Sequence, residues 1–74
     1  MNRVQDIIDK IKKIGRIKFE YYPESFYTVY WSKIRKSFYI IHEISGLDFV
    51  RIIFLESDLR NFIYFMRRYI DDKN

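Results

Sequence analysis

The stretch "FEYYPESFYTVYW" (Phe19–Trp31) decides the fold of this chain, because it sets seven aromatic side chains around its only proline. Aromatic residues suit a pleated, half-buried surface, and proline presets φ for a turn at a place where no ladder donor is needed. The stretch reads as a β-hairpin. Successive strand side chains point to opposite faces, so its aromatics are divided between two faces. A chain of 74 residues has little with which to cover both.

Working outward, Ile17, Phe19 and Tyr21 alternate with Arg16, Lys18 and Glu20, giving the first strand one apolar and one polar face. Before it, "NRVQDIIDKIKKIG" places Val4, Ile7, Ile8, Ile11 and Ile14 at helical spacing. Asn2 with Gln5 resembles a capping box, the late lysines suit the helix C-terminus, and Gly15 can close it in the left-handed conformation. After the hairpin, "SKIRKS" is a loop, Phe38–Ile44 a strand and "SGLD" a tight turn. "FVRIIFLE" is rich in β-branched residues and reads as a fourth strand, with a helix as the other reading of 49–56. The last segment is an amphipathic helix with Ser57 as N-cap and a stripe of Leu59, Phe62, Ile63, Met66 and Ile70, with Tyr69 beside it. The expected fold is a single α+β domain: an antiparallel meander of three or four strands between N- and C-terminal helices.

Loop length sets which residues share a face. A three-residue "PES" loop sets Tyr22 opposite Phe26, Phe19 opposite Val29 and Ile17 opposite Trp31; a two- or four-residue loop flips the parity. Pairing across "SKIRKS" sets Trp31 beside Phe38, Val29 beside Ile40 and Tyr27 beside His42, which favours the first register. The expected sheet core is then Ile17, Phe19, Tyr21, Tyr27, Val29, Trp31, Phe38, Ile40 and Ile44. The other face carries Arg16, Lys18, Glu20, Tyr22, Phe26, Thr28, Tyr30, Tyr39, Ile41 and Glu43. If Ile44 pairs with Phe49, then Val50, Ile52 and Phe54 join it.

Three arrangements are open for that second face. The helices cover opposite faces; or both cover one face and the other meets a protein; or aromatics flanked by cations stack bases. The second is preferred, because Ile41, Ile52 and Phe54 suit a protein interface better than a stacking platform. Its expected contact residues are Tyr22, Phe26, Tyr30, Tyr39 and Ile41, and the expected partner is a protein or nucleoprotein, a second copy included. The nucleic-acid alternative uses Arg16, Lys18, Lys33, Arg35 and Lys36, in a chain of net charge +4.

Catalytic chemistry has little support. His42 is the only histidine and reads as a hydrogen-bonded structural residue; the carboxylates of Asp6, Asp9, Asp71 and Asp72 read as solvated helix ends. There is no cysteine, and no nucleophile elbow, phosphate loop or two-histidine metal spacing, so neither cofactor, metal nor small-molecule substrate is expected. Apolar runs are broken by charge well short of the roughly 20 residues a membrane span needs. With no apolar leader at the start, the expectation is a cytoplasmic protein without a membrane partner.

The shorter element order, α-β-β-β-α, is similar to that of double-stranded-RNA-binding domains and of small phage-encoded inhibitors such as some anti-CRISPR proteins. The first resemblance implies RNA contacts from a Gly-Pro-His loop and a Lys-Lys-x-Ala-Lys helix start. Here the turns read "YPES" and "SKIRKS" and the helix opens "SDLRNF", so no RNA-contacting residue carries over. The second implies an inhibitor of a larger nucleoprotein machine; many of those are acidic DNA mimics, whereas this chain is basic. The Ile, Lys, Tyr and Asn bias fits an AT-rich phage or mobile-element origin.

Overall fold

A computed structural model describes residues 3–70. The order is α1 (Val4–Ile14), β1 (Arg16–Tyr22), β2 (Ser25–Ser32), β3 (Ser37–Ile44), β4 (Leu47–Ile53), α2 (Glu56–Met66) and a 3₁₀ turn at Arg67–Tyr69. The strands form one antiparallel meander, β1-β2-β3-β4. Residues 47–53 are thus strand, and the expected α+β fold is the one found.

The termini of α1 follow from its residues. Gly15 takes φ 97°, in the left-handed region that costs glycine nothing, and its N–H returns to the Ile11 carbonyl. Its own carbonyl accepts the Trp31 N–H at 2.9 Å, which ties the helix end to β2. The expected cap residue Asn2 lies outside the described residues; Arg3 occupies the N-cap without a side-chain bond. Gln5 instead donates to Asp9 at 2.8 Å and accepts from the Arg60 guanidinium of α2. In α2 the N-cap is Leu55 rather than Ser57, because the Leu55 carbonyl takes the N–H groups of Asp58 and Leu59. The helix starts two residues early, with Glu56 and Asp58 both in its first turn, where carboxylates suit the dipole.

Both helices pack on one face of the sheet. Ile7, Ile8 and Ile11 of α1 and Leu59, Ile63 and Met66 of α2 meet Ile17, Phe19, Val29, Phe38, Ile40 and Ile53 in one buried cluster. Tyr27, Trp31 and Phe62 pack against its rim. The three-layer arrangement is therefore excluded. Tyr21 and Ile44, expected in the core, lie toward the hairpin ends of their strands and are 36% and 40% exposed instead.

The β1–β2 hairpin reaches the expected face parity by a different route. Its turn has two residues, Pro23 and Glu24, between the paired Tyr22 and Ser25, and such a turn alone would turn the core face outward. A β-bulge at Tyr21 adds one residue to β1 and restores the parity, but the register is displaced by two residues, so that Phe19 pairs with Tyr27 rather than Val29 and Ile17 with Val29 rather than Trp31. The β2–β3 register is as expected, with Trp31 opposite Phe38, Val29 opposite Ile40 and Tyr27 opposite His42. Between β3 and β4, Ile44 pairs with Leu47 rather than Phe49. Ser45 and Gly46 both have positive φ, 48° and 83°, which is the type I′ geometry that closes a hairpin in two residues. The slip is two residues, so Val50 and Ile52 keep their face. Phe54 does not join it, because β4 ends at Ile53.

Candidate functional site: the open sheet face

The face away from the helices is built from three cross-strand rows that follow from the register. The first runs Arg16, Tyr30, Tyr39, Ile52; the second Lys18, Thr28, Ile41, Val50; the third Glu20, Phe26, Glu43, Asp48. An apolar centre of Phe26, Tyr30, Tyr39, Ile41, Val50 and Ile52 is thus bounded by cations at one end of β1 and by carboxylates at the hairpin end. No helix covers it. Phe26, Tyr30, Tyr39 and Ile41 are partly exposed, while Val50 and Ile52 are 66% and 43% exposed. The Lys18 ammonium lies 4.1 Å from the centre of the Phe26 ring, a cation–π contact that spans adjacent rows and holds both side chains over the sheet.

Four of the five expected contact residues therefore share this face. Tyr22 does not. The bulge carries it to the other side, opposite Ser25, in the row that continues through Ile44 and Leu47. There its ring meets Tyr21 edge-on at 4.2 Å, and Tyr21 touches Tyr69 at 4.9 Å and Tyr27 at 6.4 Å. The Tyr21 phenol is pushed above its ordinary value of 10.0, first by a hydrogen bond and then by charge from Tyr22, with burial, Tyr69 and Tyr27 adding to it. A raised folded-state value means that the stability it contributes is present below pH 10 and lost as pH climbs through that higher value. Tyrosinate absorbance should show a late alkaline component in the folded chain, absent from Tyr21→Phe and from the urea-unfolded protein.

The cations divide by position. Lys33, Arg35 and Lys36 occupy the β2–β3 turn, and the Gly15–Trp31 bond brings the end of α1, with Lys12 and Lys13, and Arg16 to the same end of the molecule. Lys12 is engaged there: its ammonium lies 5.2 Å from the Trp31 ring and 3.7 Å from the Glu56 carboxylate. Arg60 and Arg67 lie elsewhere, on Gln5 and over the Tyr64 ring. The basic clusters thus do not form one continuous footprint.

On the helical face, His42 stacks on Tyr27 with ring centres 3.9 Å apart and planes at 10°, and its Nε2 shares a hydrogen bond of 3.2 Å with Ser25 Oγ. It lies beside a hollow of about 260 Å³ whose lining includes Tyr27, Phe49, Arg51 and Phe62. Sequence reasoning did not find this hollow, since it lies between Phe62 of α2 and residues of β2, β3 and β4 that only the tertiary fold brings together. Among the described residues no group of three or more His, Cys, Asp or Glu side chains stands close enough to hold a metal ion, and no helix is long and apolar enough to cross a membrane. No known protein family, curated protein or solved structure matches the chain.

Proposed function

We propose that this chain is a non-catalytic binding protein, working inside the cell, that docks on a protein or nucleoprotein partner through its open sheet face. One observation carries the reading: both helices lie on the same side, leaving Phe26, Tyr30, Tyr39, Ile41, Val50 and Ile52 in water as one surface. Contiguous apolar surface of more than a few hundred Å² marks interaction sites, and Tyr and Phe anchor interfaces because they bury large area at low entropic cost. The cationic and acidic margins then supply orientation rather than affinity. The lone histidine supports the same reading, since its ring is engaged by Tyr27 and Ser25 in a packed, structural manner.

Tyr39→Glu combined with Ile41→Glu tests it, because both changes sit on the open face and leave the helical core untouched. Apolar-dye fluorescence should fall several-fold with the circular dichroism unchanged, and proteins retained from a lysate by the immobilised parent should be lost. Unchanged dye binding and retention would reject the face. A second reading, nucleic-acid binding, has one observation in its favour: Arg16, Lys33, Arg35 and Lys36 converge at one end, next to Tyr30 and Tyr39. An oligonucleotide complex that weakens steeply with added salt would move the function to that end.

A further inference from the structure

The two edges of the sheet are protected unequally. Edge β1 carries Arg16 and Lys18, bends at the Tyr21 bulge and is met along its outer side by Ile70, which bridges to Phe19. These are the devices by which natural sheets keep other strands away. Edge β4, Leu47–Ile53, carries Asp48 and Arg51 but has neither proline nor bulge, no segment bridges to its outer side among the described residues, and its pairing with β3 is regular from end to end. Leu47, Phe49, Val50 and Ile52 are exposed along it on both faces, and Phe54 and Leu55 follow directly.

We infer that β4 pairs antiparallel with β4 of a second copy of this chain, about a two-fold axis through Val50 and normal to the sheet. The backbone permits it. Ile44 and Leu47 flank a two-residue turn and form a hydrogen-bonded pair, so the alternation of the ladder turns the N–H and C=O groups of Asp48, Val50 and Ile52 outward. Pairing Val50 with its symmetry mate, and Asp48 with Ile52, satisfies these groups with about six main-chain hydrogen bonds. The side chains select this register. It sets Phe49 of each copy opposite Arg51 of the other in the closer, non-hydrogen-bonded pairs, giving two cation–π contacts, and it opposes no like charges. Centring one residue later would instead face Arg51 with Arg51. Leu47, Phe49, Val50 and Ile52, exposed in the single protomer, then stand beside cross-strand neighbours along the seam. A symmetric axis of this kind makes one eight-stranded sheet with both open faces on the same side, and it does not depend on what that face binds.

Light scattering of the purified chain from micromolar to millimolar concentration should report the mass of two chains. Val50→Pro removes the central donor, and edge proline is tolerated where the N–H faces outward, so β3–β4 pairing survives. This variant should be monomeric with an unchanged dichroism spectrum, its dissociation constant raised at least about tenfold. If Val50→Pro does not fold, Val50→Lys sets two ammonium groups across the axis and should give the same monomer. Tyr39→Glu, on the face but away from the edge, should remain dimeric. A parent that is monomeric throughout, or a dimer that survives the substitution at Val50, would overturn the inference.

Discussion

Phe19→Ala is expected to leave the domain largely unfolded at room temperature, while Phe49→Ala is expected to be almost silent in the folding of a single protomer. The ring of Phe19 is fully buried at the centre of the single core, edge-on to Phe62 at 6.1 Å, beneath α2. Removing a buried phenylalanine costs about 3–5 kcal/mol through lost transfer energy and the cavity left behind. At about 0.05–0.15 kcal/mol per residue, a domain of this size has on the order of 4–11 kcal/mol to lose, with the lower end typical of small single cores. Phe49 is the same residue type in the same sheet, yet 56% exposed in the single protomer, so in the monomeric Val50→Pro background its truncation should cost under about 1 kcal/mol. Urea unfolding followed by Trp31 fluorescence measures both. Equal costs would mean that the helical layer covers the sheet differently.

Leu59→Ala should be the next most damaging change, at about 2–5 kcal/mol. Leu59 is fully buried in the cluster that α2 shares with α1 and the sheet. The exposed polar ties between the helices contribute far less. Lys12 and Glu56 stand 3.7 Å apart with their side chains 42% and 48% exposed, so Lys12→Ala should cost no more than about 1 kcal/mol. A denaturant series on the two variants separates apolar docking of α2 from ion pairing. Should Lys12→Ala prove the costlier, the ammonium's contacts with Trp31 and Phe38 would have to hold the helix end in place.

Much of this architecture was legible because periodicity survives small errors of register. The β2–β3 pairing followed from hydrophobic matching alone, and the β3–β4 pairing, though displaced by two residues, kept Val50 and Ile52 on their face. What could not be read was the backbone at the turns. Glu24 and Lys36 take φ of 65° and 50°, a region that glycine or asparagine usually signals, so neither turn announced its length. The Tyr21 bulge has no sequence signature either, and it alone moved Tyr22 off the open face. Two amphipathic helices fit one face or two equally well by pattern; only the shared cluster of Ile8, Ile11, Leu59 and Ile63 decides it. The membership of the open face was therefore largely legible from alternation, while whether a helix covers it was not.

The ordered rows of the open face have a consequence for encounter rates. Arg16 and the Lys33, Arg35 and Lys36 turn lie at one end of the strands, and Glu20, Glu24, Glu43 and Asp48 at the other. In a separate protomer, opposite charges divided along the strand axis make an electric dipole in the plane of the sheet, whereas a two-fold axis normal to the sheet sets the dipoles of two copies against each other and cancels them. In the field of a charged partner a separate protomer, such as the Val50→Pro variant, experiences a torque before contact and arrives aligned along its strands. Association should therefore be fast at low ionic strength and slow as the Debye length shrinks, with dissociation, governed by the apolar centre, nearly indifferent to salt.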